Sequence, residues 1–204
     1  RVKTHLALAN TQRQCFREVK KATTELIQNQ HDAIEMLGDA GHYNDTDTGV
    51  HIWRMAEYAE ILARSVNWST ELQQKIRLAA PMHDTGKIGI PDEVLKAPRK
   101  LTSDEFDIMK SHTTIGHKIL RRSKTELFKM AAEIAWCHHE KWDGSGYPRG
   151  LKGEDIPESA RIVAIAVFDA LTMKRPYKEP WPVEKAINLL RKDAGSHFDP
   201  KLVK

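Results

Sequence analysis

Several features are scarce in this 204-residue chain, and each scarcity closes a class. There are only two cysteines, Cys15 and Cys137. They have no metal-type pairing and make no disulfide framework, so a secreted, disulfide-stapled fold is excluded and a reducing cytoplasm is the expected compartment. No apolar run approaches the roughly 20 residues that span a bilayer, so no membrane segment is expected. The opening residues "RVKTHLALAN" lack the charged head, apolar run and small-residue cleavage site of a signal peptide. Charge of one sign is not concentrated either. The net charge of +4 is spread along the chain, which is too little for a nucleic acid polymer to be the expected partner. Local cations facing a phosphorylated substrate account for it equally well. Internal repeats and low-complexity tracts are absent.

What remains is an ordinary globular composition, 40% hydrophobic and 29% charged, long enough for one or two domains. Its patterning is helical throughout, giving an all-α fold. Residues 1 to about 38 carry no Pro or Gly before Gly38. Phe16, Val19, Leu26, Ile27, Ala33, Ile34 and Leu37 recur there at near-heptad spacing, as in one long helix. That stripe fits a helix packed on its own domain and a dimerising signalling helix about equally. "GDAGHYNDTDTG", Gly38 to Gly49, reads as a polar break. Helices are expected over about 48–66, from Thr70 as N-cap with Gln73 as its capping-box partner, and near 92–95. Others are expected from the Thr102/Glu105 capping box to about Arg122, over about 126–139, through "SARIVAIAVFDALTMK" and through "PVEKAINLLRK". Ile162 to Val167 alone could pass for a strand, but the length and the alanines favour helix. The domain reading is a linker helix over 1–40, then one domain over 41–204.

Ten histidines are present, and several stand at helix ends beside acids or each other. His83-Asp84 closes an apolar helix just before Gly86. His51 precedes it; His112 and the adjacent pair His138-His139 follow on later helices. A lone histidine is usually structural. Imidazoles on separate helices around one carboxylate form a mixed nitrogen and oxygen site with room for two or more metals. That donor set suits iron or manganese and admits zinc, and it does not suit a thiolate-rich structural zinc. A two-metal site activates water and stabilises the oxyanions of an in-line phosphoryl displacement.

The ordered stretches "DTDTGVHIWRM", "HDTGKIGIPDEVL", "KSHTTIGHKIL", "CHHEKWDGSGYPRGLKGEDIP" and "FDALTMKRPYK" span about residues 45–200. In them the chain resembles the HD-GYP family, a branch of the HD superfamily of metal-dependent phosphohydrolases. The resemblance implies a multi-helix HD-type bundle holding two or three divalent metals, iron or alternatively manganese. It also implies hydrolysis of cyclic di-GMP to pGpG or on to GMP. By the same resemblance His51, His83, Asp84, His112, His138 and His139 are metal ligands. Asp47 stands where some members have a third-metal glutamate, though it can equally cap the following helix. Lys87 is expected beside the metals, contacting the scissile phosphate or protonating a leaving oxygen. Arg175 and Lys178 are expected to hold substrate phosphate. The loop Gly144, Gly146, Tyr147, Pro148 is a candidate pocket wall and a surface for signalling partners.

One position departs from the family pattern. An aspartate usually lies between "RIVAIA" and "VFDAL", and here Ala166 runs straight into Val167. Asp169 matches a different family position. One residue fewer turns everything downstream on a helix by about 100°, so Asp169 does not simply take over the role. This departure motivates a rival expectation, a non-catalytic cyclic di-GMP sensor or scaffold; another cyclic dinucleotide as substrate is a further alternative. The opening "RVKTHLALANTQRQ" resembles the helix that leaves a response-regulator receiver domain. It implies a response-regulator output domain on which phosphorylation acts through the N-terminal helix; a homodimer through that helix is the separate expectation of its apolar stripe.

Overall fold

The computed structural model describes residues 2–42, 49–166, 172 and 180–204, with side chains from Asn10 to Gly41 and from Ile52 onward within those ranges. Helices run over α1 (Val2–His42), α2 (Gly49–Ser65), α3 (Thr70–Ala79), α4 (Asp92–Leu95), α5 (Ser103–Leu120), α6 (Glu126–Cys137), α7 (Glu158–Ala166) and α8 (Val183–Lys192). Short 3-10 turns occupy Ala80–Met82, Thr85–Gly89 and Gly153–Asp155. Among the described residues there is no strand, only a single bridge between Ala194 and Phe198. The all-α expectation holds, and "SARIVAIA" is helical as far as it is described.

The chain divides into two compact units, Arg1–Met36 and Leu37–Lys204. The first is helical, and its Phe16, Val19, Leu26 and Ile27 are exposed. The second holds the core. There α2 packs on α3 and α7, and α6 packs on α3, α5 and α7. The residues at these contacts are largely small: Ala56, Ala59 and Ala63 on α2, Ala79 on α3, Ala131, Ala132 and Ala135 on α6, and Ala160 on α7 are all buried. Short side chains let helix axes approach closely. Ile52, Met55, Ile76, Ile134, Ile162 and Val163 fill the space between them.

Two boundaries differ from expectation. Gly38 does not open a break, because α1 continues to His42. A Cβ on Gly38 would lie 3.1 Å from the Pro81 Cβ, and one on Gly41 would lie 3.1 Å from the Thr85 Cα. These glycines keep the helix end slim where it meets the turn after α3. The α3 N-cap is Ser69 rather than Thr70. Ser69 has the extended backbone of a cap, and its hydroxyl accepts from the Leu72 N–H at 3.3 Å. Gln73 is drawn elsewhere, donating from Nε2 to the Trp68 carbonyl at 2.6 Å. Two neighbouring hydroxyls have the same capping chemistry, and only backbone geometry separates them. The Thr102/Glu105 box forms as expected, reinforced by Arg99, whose two terminal nitrogens donate to the Glu105 carboxylate at 2.6 and 2.7 Å.

Candidate metal centre

Three chain segments bring the site together. His83 and Asp84 lie between the 3-10 turns Ala80–Met82 and Thr85–Gly89. His112 sits on the inward face of α5, with Thr113, Gly116 and Leu120 also buried at one-turn spacing. His138 caps the C-terminus of α6, and His139 follows it. What sets the distance between the first two segments is Gly86. A Cβ there would fall 1.9 Å from the His112 carbonyl oxygen and 2.4 Å from the Gly116 amide nitrogen. Backbone therefore touches backbone, and Asp84 is carried up to His112.

One ligand atom each from Asp84, His112, His138 and His139 can be chosen so that all lie within 4.8 Å of one another. His112 and His138 approach Nε2 to Nε2 at 3.4 Å, and their Nε2 atoms lie 3.4 and 3.7 Å from Asp84 Oδ1. His83 stands at the edge of the group, its Nε2 3.1 Å from Asp84 Oδ2. Lys87 Nζ lies 2.8 Å from that same oxygen.

Backbone carbonyls fix the tautomers. Nδ1 of His83 faces the Ala80 carbonyl at 2.9 Å, that of His112 faces Met109 at 2.7 Å, and that of His138 faces Ile134 at 3.1 Å. A carbonyl only accepts, so Nδ1 carries a proton in each ring, and the Nε2 lone pairs of His112 and His138 are left to face Asp84 Oδ1. This is the outer support that metal-binding histidines use. The electrostatics agree. Burial, reinforced by neighbouring imidazoles, holds His112 below its ordinary value and His138 well below it. His139 is pushed down to about 3 by burial and by His112, against the opposing pull of Asp84. These rings are neutral and able to ligate at neutral pH. Burial raises the Asp84 carboxyl, but His83 and Lys87 together bring it well below the usual carboxylate range.

The arrangement fits a cation and fits little else. Asp84 Oδ1 is buried and, among the described residues, accepts no hydrogen bond. It is met instead by two Nε2 lone pairs. A buried carboxylate oxygen ringed by acceptors is costly unless a positive charge sits among them.

Of the other expected site residues, Asp47, Arg175 and Lys178 lie outside the described residues, as do Asp169 and the junction after Ala166. His51 falls on α2, and its side chain is likewise outside them. His117 is structural, facing the Ala132 carbonyl through Nδ1 at 3.1 Å and stacking on Trp136.

Sequence reasoning gave no role to Glu140. It is buried, and its two carboxylate oxygens accept from the amides of Arg149 and Leu151 at 2.8 and 3.0 Å. It thereby pins the loop that follows the histidine pair. Within that loop, a Cβ on Gly146 would meet the Glu140 Cα at 2.5 Å, so the chain folds directly back on itself. The Tyr147 N–H donates to the His139 carbonyl at 3.2 Å, and its ring stacks on the His139 ring at 4.7 Å. The one available signal was an acid immediately after the adjacent pair His138-His139, before a glycine-rich turn. Replacing Glu140 with Ala leaves two amides without an acceptor. We expect a loss of about 3 kcal/mol, read as a fall of roughly 6–12 °C in the thermal midpoint. Glu140→Gln, which keeps one good acceptor, should lose clearly less.

The helical bundle thus gathers one carboxylate and three neutral imidazoles, from α5, the end of α6 and the turn after α3, into a group that could hold a metal ion. The chain belongs to the HD domain family, whose model matches residues 8–202, and its Gly146-Tyr147-Pro148 loop places it in the HD-GYP branch. It is 46% identical over 173 residues to a Thermotoga maritima protein named cyclic di-GMP phosphodiesterase, covering 84% of this chain and 47% of that one. It is 46% identical over 187 residues to a Vibrio cholerae protein named 3'3'-cGAMP-specific phosphodiesterase 2, covering 91% of this chain and 34% of that one. A Vibrio cholerae crystal structure described as a cyclic GMP-AMP specific phosphodiesterase (V-cGAP3) superposes with a TM-score of 0.64 at 20% identity, over 83% of this chain and 46% of that one, and shares the fold. The chain spans about a third to a half of the length of these relatives.

Proposed function

We propose that this chain is a metal-dependent phosphodiesterase that hydrolyses cyclic di-GMP to pGpG or on to GMP in bacterial signalling. The observation that carries the proposal is the buried Asp84 carboxylate facing the Nε2 atoms of His112 and His138. Asp84, His83, His112, His138 and His139 hold the metals, with His51 and Asp47 completing the set. The mixed nitrogen and oxygen donors favour two or three divalent ions, iron first and manganese second. Bound there, the ions supply Lewis acidity toward the phosphate and lower the pKa of water. The protein supplies the rest. Asp84 provides the one carboxylate of the cluster among the described residues, and His83 and Lys87 bring its carboxyl well below the usual range. Lys87, held beside Asp84, places a cation where the phosphate gains charge and can return a proton to the leaving ribose oxygen. Arg175 and Lys178 hold the phosphates. Water adds to phosphorus, one ribose P–O bond breaks, and the ring opens.

Two other readings rest on particular observations. A relative named for 3'3'-cGAMP makes a mixed cyclic dinucleotide the alternative substrate. The direct step from Ala166 to Val167 supports a non-catalytic cyclic di-GMP sensor. Iron- or manganese-loaded protein should therefore be offered cyclic di-GMP and 3'3'-cGAMP, with products separated by chromatography. Preferential conversion of cyclic di-GMP supports the proposal. Preference for 3'3'-cGAMP moves the substrate, and tight binding without turnover at full metal occupancy identifies a sensor.

In the same reading, residues 1–40 are a linker helix that joins two copies through its apolar stripe and follows a receiver domain. Residues 41–204 are the hydrolase domain, with the Tyr147 loop open to signalling proteins. No helix among the described residues is long and apolar enough to cross a membrane. A cytoplasmic site of action fits the free thiols of Cys15 and Cys137.

A further inference from the structure

One side chain near the metal centre has no part in holding it. Phe106, on the first turns of α5, leaves 45% of its surface exposed. Single exposed aromatics are common and need no explanation by themselves. The surroundings of this one are less ordinary. Its ring meets the edge of Tyr147 at 6.2 Å between centroids, with the planes 78° apart. Tyr147 in turn stacks on the ligand His139. One helical turn on from Phe106, Lys110 places its ammonium 5.0 Å from the Phe106 centroid and 5.9 Å from that of Tyr147. An aromatic shelf with a cation at its side thus begins at His139 and extends outward along α5.

We infer that Phe106, flanked by Lys110 and Tyr147, is the platform on which a guanine base of the cyclic dinucleotide stacks. The inference rests on the hydrolytic reading above and adds the part of the substrate that the metal centre does not touch. In a nucleotide the base lies one sugar away from the phosphorus. A ring two aromatic contacts from His139 is therefore well placed to meet a base whose phosphate is at the histidines. A purine offers a flat π face, and stacking on an aromatic side chain is a general way to hold one. Lys110 adds donors near the base edge, where guanine presents the O6 and N7 acceptors. Its charge also suits an anionic ligand, although Asp107 shares it at 2.6 Å.

The test compares Phe106→Ala, Phe106→Leu and Phe106→Trp for both KM and kcat on cyclic di-GMP, and for its Kd by calorimetry. Alanine should raise KM and Kd about tenfold, the loss falling on KM rather than kcat. Leucine keeps the bulk and apolarity but has no π face, so it should resemble alanine; tryptophan should restore tight binding. Leucine binding as tightly as phenylalanine, or alanine causing no loss, would overturn the platform. If the wild type binds cyclic di-GMP without hydrolysing it, the hydrolytic reading fails, and the Kd series alone still decides the platform. If it hydrolyses the substrate with all three variants equal, the platform fails and the hydrolytic reading stands.

Discussion

Asp84→Ala should abolish hydrolysis of cyclic di-GMP and, with it, the response of the protein to metal. Loss of even a residue that only supports a metal ligand from behind typically costs about 10–100-fold in metal affinity or activity, and loss of a ligand itself should cost more. Asp84 is the only carboxylate among the clustered ligands of the described residues, so the loss should be on the order of 10³-fold or greater. The same substitution should leave the metal-free fold assembled but weaken it, because Asp84 Oδ2 pairs with Lys87 at 2.8 Å and only Oδ1 accepts no hydrogen bond among the described residues. Metal added well above its Kd should raise the wild-type thermal midpoint, since about 3 kcal/mol follows from a hundredfold excess. That corresponds to roughly 6–12 °C for a domain of this size. In Asp84→Ala the shift should vanish. Asp84→Asn keeps the shape without the charge and should behave like alanine in both assays. A variant that retains turnover would remove Asp84 from the mechanism.

The largest expected effect on stability lies two residues away. Gly86→Ala drives a methyl group into the backbone of α5, where the His112 carbonyl and Gly116 amide lie at 1.9 and 2.4 Å. Neither is a side-chain tip that can swing aside. The turn and the helix must separate, and losses above about 4 kcal/mol are expected from such crowding. Gly195→Ala is the natural comparison. Its φ is +84° but nothing lies within 4 Å of a Cβ there, so only backbone strain of about 1–2 kcal/mol is incurred. Chemical denaturation of the two variants separates crowding from strain. Equal losses would mean that Gly86 does not set the spacing between Asp84 and His112.

These two glycines also mark what sequence could and could not reveal. Element types followed from period and capping, because the apolar faces of α2, α5 and α6 repeat at helical spacing and Thr102/Glu105 forms a local box. Asp84, His112, His138 and His139 were legible as a group because the ordered motifs name them together, and the structure brings those four within 4.8 Å of one another. The reason for Gly86 was not legible. It depends on a contact with α5 some 26 positions later, and no local pattern records that. Gly38 misled in the opposite direction, since a glycine thinned for packing inside a helix looks the same in sequence as one that ends it. Glu140 was hidden because its partners are backbone amides, which every residue has. Phe106 was hidden because an exposed aromatic acquires meaning only from its neighbours.

The proposed hydrolysis requires that this cluster hold metal and use it. The most direct measurement is the metal content per chain by plasma mass spectrometry, taken on the same sample as its cyclic di-GMP turnover, before and after chelation. About two or three ions per chain are expected, with turnover that disappears with them and returns on adding back iron or manganese. Undiminished turnover in protein stripped of metal would contradict that requirement.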